Sequence, residues 1–311
     1  MNAHDFTPGA ALIRQDHPLT LETLRNLAPS AFATEAHESR SDRYAYIPTS
    51  EVITALIKEG FQPFKATQSR SRIAGKTEFT KHMIRFRHPD AMENIRVGDS
   101  VPEIILINSH DGTSCYKISA GIFRFVCSNG LIVADSTVAS LNVYHKGNII
   151  HNVIEGSFEI VRNSNKAFAK VNEWSGLMLT EGEQKAFAAA AHELRFADAE
   201  GVVNTPITSD QLLVPFRRED ASPASVRLPK PDLWHTLNTV QEAVIKGGLT
   251  ARNHGIDPNT GRWNNRRVTT REVRGIDQDS RLNRSLWTLA ERMAELKNFA
   301  HTVPPTLVAT V

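Results

Sequence analysis

Two turn dipeptides, Asp111-Gly112 and Asn129-Gly130, sit between short apolar runs and restrict the fold of this chain more than any other feature. Each pair accepts the positive φ of a tight type I′ turn, so each is expected to join antiparallel strands. Upstream of the first, PEIILINSH (102–110) is apolar enough for a buried strand. Downstream, 113–118 and 123–126 read as strand, with Gly121 as a bulge or bend between them. Asn129-Gly130 then leads into LIVA, and GFQPFKATQSR from Gly60 supplies an earlier strand. The stretch from about 60 to 135 is therefore expected to form an antiparallel hairpin sheet.

Around this sheet the apolar period lengthens. Thr49 and Ser50 precede EVITALIKEG, where Val52, Leu56 and Ile57 recur at helical spacing and Gly60 ends the run. Val153, Ile154, Phe158 and Val161 mark a helix over 149–171. Thr180 and Glu183 match a capping box ahead of an alanine-rich helix. Leu233–Lys246 is stopped by Gly247-Gly248, and 280–299 carries Leu282, Leu286, Leu289, Met293 and Leu296 on one stripe. Proline-rich 203–231 reads as a connection. The expected class is α+β: a hairpin sheet packed with helices, then a mainly helical C-terminal half. Three regions follow: an N-terminal arm (1–45) with a short helix near Thr20–Leu27, an α+β core (46–200), and a helical region (201–311) with a basic loop at 250–275.

The overall charge of +2 makes any local excess informative. KATQSRSRIAGKTEFTKHMIRFRH (65–88) carries Lys65, Arg70, Arg72, Lys76, Lys81, Arg85 and Arg87 against one acid, Glu78. Alternation puts Lys81, Met83, Arg85 and Arg87 on one face and His82, Ile84, Phe86 and His88 on the other. A cationic sheet face can follow a row of phosphates; the plainer alternative is a solvated, lysine-guarded edge strand. A second basic region holds Arg252, Arg262, Arg266, Arg267, Arg271 and Arg274 with Trp263 and His254 interleaved. Arginine beside an aromatic can bind phosphate and stack a base. Alternatively, these arginines solvate a loop and pair with Asp257, Glu272 and Asp277. Arg124, in FRFVCSNGL, adjoins the basic strands, while Cys127 beside it reads as a buried thiol.

Other chemistry finds little support. Two cysteines are too few for a disulfide framework. The start has no leader-like pattern and no apolar run approaches the roughly 20 residues of a membrane span. A cytoplasmic protein without a membrane partner is expected. There is no P-loop and no histidine or cysteine metal spacing, so neither a cofactor nor ATP use is expected. Ser109, His110 and Asp111 are adjacent, and neighbours on a strand point to opposite faces, so they make no triad without partners from elsewhere. Glu103, Asp111 and Asp135 have no spacing that marks a metal-dependent nuclease. No catalytic centre is recognised.

SDRYAYIPTSEVITALIKEGFQPFKATQSR, KHMIRFRH, PEIILINSHDGTSCYKISAGIFRFVCSNGL, LWHTLNTVQEAVIKGG and RLNRSLWTLAERM together resemble the phage/plasmid-like proteins grouped as domain of unknown function 932. INSHDGTSCY and FRFVCSNGL are the most specific strings, and the resemblance runs from about 40 to 300. It implies a protein carried by mobile elements and brings no catalytic residues with it. At the level of architecture the chain is also similar to the single-strand annealing proteins of the Rad52 and Redβ type, which form rings or filaments around stripped DNA. The resulting expectation is a single-stranded DNA-binding protein of a mobile element that promotes ATP-independent annealing as a homo-oligomer. The alternative is an anti-defence or regulatory module that binds a host or element-encoded protein.

Overall fold

The computed structural model describes residues 17–38, 46–88, 100–124, 129–132, 140–143, 148–256, 261 and 263–302. The chain divides into two compact units: Met1–Gly130 with Ser140–Val161, and Leu131–Ala139 with Arg162–Val311. The main division falls inside a long helix and not near residue 200. A helix hides such a boundary from composition, because its apolar repeat continues through it.

The first unit is built on a sheet. After α1 (Leu21–Leu27) and α2 (Thr49–Lys58) come β1 (Gln62–Gln68), β2 (His82–Arg87), β3 (Ser100–Asn108), β4 (Tyr116–Arg124), β5 (Asn129–Ile132) and β6 (Ser140–Val143). Their order is β1-β2-β3-β4-β5, with β6 also pairing with β4. The pairs β1–β2, β2–β3, β3–β4 and β4–β6 are antiparallel, as expected.

The connections depart from expectation in three places. Residues 109–115 form a seven-residue loop between β3 and β4, not a two-residue turn. Asp111 builds it from its side chain: Oδ1 accepts from Thr113 N at 3.0 Å and Thr113 Oγ1 at 2.6 Å, and Gly112 takes φ +77°. The β3–β4 register passes Gly121, opposite Glu103, without a bulge. Buried Ala120 and Ile122 on either side hold the ladder through it. The register shift lies instead between Pro63 and Lys65. Asn129-Gly130 opens β5 and is not its turn; Val126 and Cys127 lie outside the described residues.

α2 forms because Val52, Ile53 and Leu56 fall on one face, and all three are fully buried. Gly60, at φ +94°, ends it. Residues 17–38 are no loose arm. Leu19 N donates to Pro63 O at 2.7 Å, and Leu24 of α1 is fully buried.

In the second unit, α3 (Ile149–Gly176) contributes its part beyond Val161, followed by α4 (Glu181–Phe196), β7 (Ala221–Ser222), β8 (Ser225–Pro229), α5 (Leu233–Lys246), β9 (Thr250–Ile256), β10 (Trp263–Thr269) and α6 (Ile276–Thr302). The capping box is present: Glu183 N donates to Thr180 Oγ1, and Thr180 N donates to Glu183 Oε2. Trp174 and Trp287 meet in the core with ring centroids 4.6 Å apart and planes tilted by 51°. The proline-rich stretch is packed and not a bare connection, since Ile207, Leu212 and Leu213 are buried. Leu282 and Leu286 are buried, whereas Leu296 is 67% exposed, so the α6 stripe runs out of the core. With 27 residues against 14 in α5, α6 outruns its partner. Among the described residues no helix is long and apolar enough to cross a membrane.

Candidate nucleic-acid interface

The alternation along β2 is as expected, yet both of its faces are covered: all six residues from His82 to Arg87 are buried. Arg85 Nη1 donates to Glu103 Oε2 at 3.0 Å, and Arg87 Nε donates to Glu103 Oε1 at 2.9 Å. Arg85, Arg87 and Glu103 are each no more than 2% exposed. The Arg87 guanidinium lies 3.7 Å from the Phe123 ring centroid and 4.2 Å from that of Phe64. Burial pushes its pKa down, and Glu103 opposes that shift. These arginines therefore hold the sheet together, and a phosphate-tracking face through Arg85 and Arg87 is ruled out. Arg124 is also buried, and Lys65 and Lys81 are half-buried; all three are engaged within the chain. Lys76 pairs with Asp111 at 3.3 Å. Of the first basic segment, Arg70 and Arg72 remain exposed in the β1–β2 loop.

A polar node lies at the start of α2. Thr49 Oγ1 has His82 Nε2 at 2.9 Å, His110 Nε2 and Asn108 Nδ2 at 3.1 Å, and Tyr116 OH at 3.3 Å. Ser30 Oγ closes the far side of His82, 2.9 Å from Nδ1. Burial, then the neighbouring His110, lowers the His82 pKa to about 3, so the ring is neutral. Every member has no exposed surface. With no access for a substrate, the node fastens α2 to β2, β3 and β4 and offers no catalytic centre. Ser109 and Asp111 turn away from it into the 109–115 loop, so no triad forms.

The second basic region has a different outcome. It forms a two-stranded ribbon, β9–β10, and not a loop. Its residues 250–269 carry four arginines and one aspartate. Arg252, Asn253, Trp263, Asn265, Arg266, Arg267 and Thr269 are exposed. Arg267 sits directly opposite Arg252 in the ladder, and Trp263 opposite Ile256. Strand alternation therefore puts Trp263, Asn265, Arg267 and Arg252 on one face. Trp263 is 70% exposed. Among the described residues neither Arg252 nor Arg267 has an acidic partner, while Arg266 is engaged within the chain. Arg262 lies outside the described residues.

The ribbon is fastened at its base. Gly248 N donates to Thr270 O at 2.9 Å, and Thr270 N to Leu249 O at 2.8 Å. Gln211 Nε2 adds a bond to Thr250 O at 2.9 Å. Gly247 has φ +68°, and a Cβ there would stand 2.8 Å from the Arg271 carbonyl carbon. That close approach admits only glycine. Beyond the base, the ribbon presents like charges across the ladder and an open indole. A bare two-stranded hairpin is marginal in water, and facing cations weaken it further. Core packing gives no reason for such residues here, whereas binding an anion would. The sequence did contain a signal for this hairpin: the turn-forming run DPNTG between two seven-residue polar stretches.

The family model described as Domain of unknown function (DUF932) matches residues 36–287. The chain belongs to this family. Two relatives from Escherichia coli (strain K12), UPF0380 protein YafZ and UPF0380 protein YfjQ, are each 44% identical over 286 residues. In both cases the match covers 92% of this chain and 95% of the relative. No solved structure matches. The family's description assigns no chemistry, so the geometry of the ribbon carries the functional argument.

Proposed function

We propose that this family member binds nucleic acid, single-stranded DNA in the first instance, through the β9–β10 ribbon. The observation that supports it is the exposed Arg252–Arg267 pair sharing a ribbon face with Trp263. Two guanidiniums held opposite one another repel until an anion lies between them, and each can donate to a phosphate. The reading needs no catalytic group. It fits a cytoplasmic protein of a mobile element, the setting implied by the family resemblance. Annealing was expected from a long cationic sheet face. With Arg85 and Arg87 withdrawn into the sheet, the proposed contact on each protomer is a short ribbon, so annealing would need several copies on one strand. That makes homo-oligomerisation on DNA part of the proposal.

The test is a salt-dependent anisotropy titration of a labelled oligothymidylate against the wild type and R252A/R267A. Each neutralised phosphate releases counterion, so losing two contacts should shrink the slope of log affinity against log salt by about 1.4. Unchanged affinity and slope in a variant with native circular dichroism would remove the proposal.

A further inference from the structure

We infer that Trp263 is a base-stacking residue and that it sets a preference for unpaired nucleotides over duplex. This rests on the nucleic-acid reading and deepens it. Trp263 begins β10, four residues before Arg267 on the same face, which places it about 14 Å along the ribbon from the arginine pair. In a stacked strand that distance covers about four phosphates. One strand can therefore lay its backbone across Arg252 and Arg267 while a base further along reaches the indole. Asn265, exposed on the same face between them, has an amide that can bond a base edge or the sugar-phosphate.

The indole is suited to this because it stands open. It is 70% exposed, and among the described residues it has no ring partner and no cation over its face. The other three tryptophans behave as core residues: Trp174, Trp234 and Trp287 are 5% exposed or less. A large apolar ring left open on a cationic ribbon is a platform for a flat, polarisable ligand that carries negative charge, and a nucleotide has both properties. Duplex bases are already stacked on one another and present only edges in the grooves. A single strand frees the base faces. The ribbon's phosphate contacts serve both forms, whereas the indole serves only the single strand.

The tryptophan inventory also provides the readout. A surface ligand can quench only the exposed indole, so the fluorescence change on binding reports Trp263. The experiment compares an oligothymidylate, an abasic oligomer of equal length and a duplex against wild type, W263A and W263F. Wild type should prefer the oligothymidylate to the abasic oligomer, with quenching by the former alone. W263A should lose about tenfold in affinity for oligothymidylate, with abasic and duplex binding little changed. W263F should keep most of the affinity, since it retains a ring. If wild type binds abasic and base-bearing oligomers equally, or W263A leaves their difference intact, stacking is overturned and the backbone reading survives. If none of the three ligands binds, both readings fall together.

Discussion

Glu103 lies on a buried face between two arginines, and its charge is what lets them stay there. A buried guanidinium without a counter-charge is expensive, and here one carboxylate bonds both, with Phe64 and Phe123 closing over Arg87. E103Q keeps the shape and removes the charge. It should lower stability by on the order of 3 kcal/mol, read as a fall in the denaturant midpoint. A midpoint equal to wild type would show that the arginines do not depend on it. The DNA binding proposed for the ribbon should be unaffected in the surviving folded fraction. The alternation of β2 was legible, because strand period is a local property. The fate of its arginines was not. It depends on an acid on a neighbouring strand, paired through a register that no spacing in the sequence fixes, and on cover over both faces of the sheet.

Among the elements, those with local chemistry at their ends could be read. The capping box at Thr180 and Glu183 and the glycine stop after Lys246 are intrinsic to a few consecutive residues. The ribbon was missed because its strands lack an apolar face, and periodicity detects strands by the face they bury. Its anchoring glycine is testable. G247A would force a side chain into left-handed backbone and against the Arg271 carbonyl. The base should loosen, and amides of Thr250–Ile256 and Trp263–Thr269 should exchange faster with deuterium while α5 and α6 keep their protection. Equal ribbon protection in the variant would mean that this close approach does not hold the base.

For the molecule as a whole, acidity should be destabilising well above the range where carboxylates titrate. His82 is held neutral with a pKa of about 3, against 6.5 in its reference state. Below pH 6.5 the unfolded chain therefore binds a proton that the folded chain refuses. Its contribution is fully present above that value and is lost as pH falls toward 3, at up to about 1.4 kcal/mol per unit. Urea midpoints measured across this window should slope accordingly, and H82N should flatten the curve while lowering its plateau. A wild-type curve already flat between pH 6.5 and 4 would mean that the ring is not kept neutral. Asp111 works in the same direction at lower pH. Burial raises its carboxyl, but the Thr113 bonds, Ser109 and Lys76 outweigh that and hold it below its ordinary value. The α+β class was readable at this scale from turns and helical stripes. The split into two units was not, because it passes through a continuous helix.

The facing guanidiniums of the ribbon have a thermodynamic corollary. Since Arg252 and Arg267 push the strands apart when nothing lies between them, any anion that settles there also cements the ladder. Occupancy and order are then one equilibrium seen from two sides.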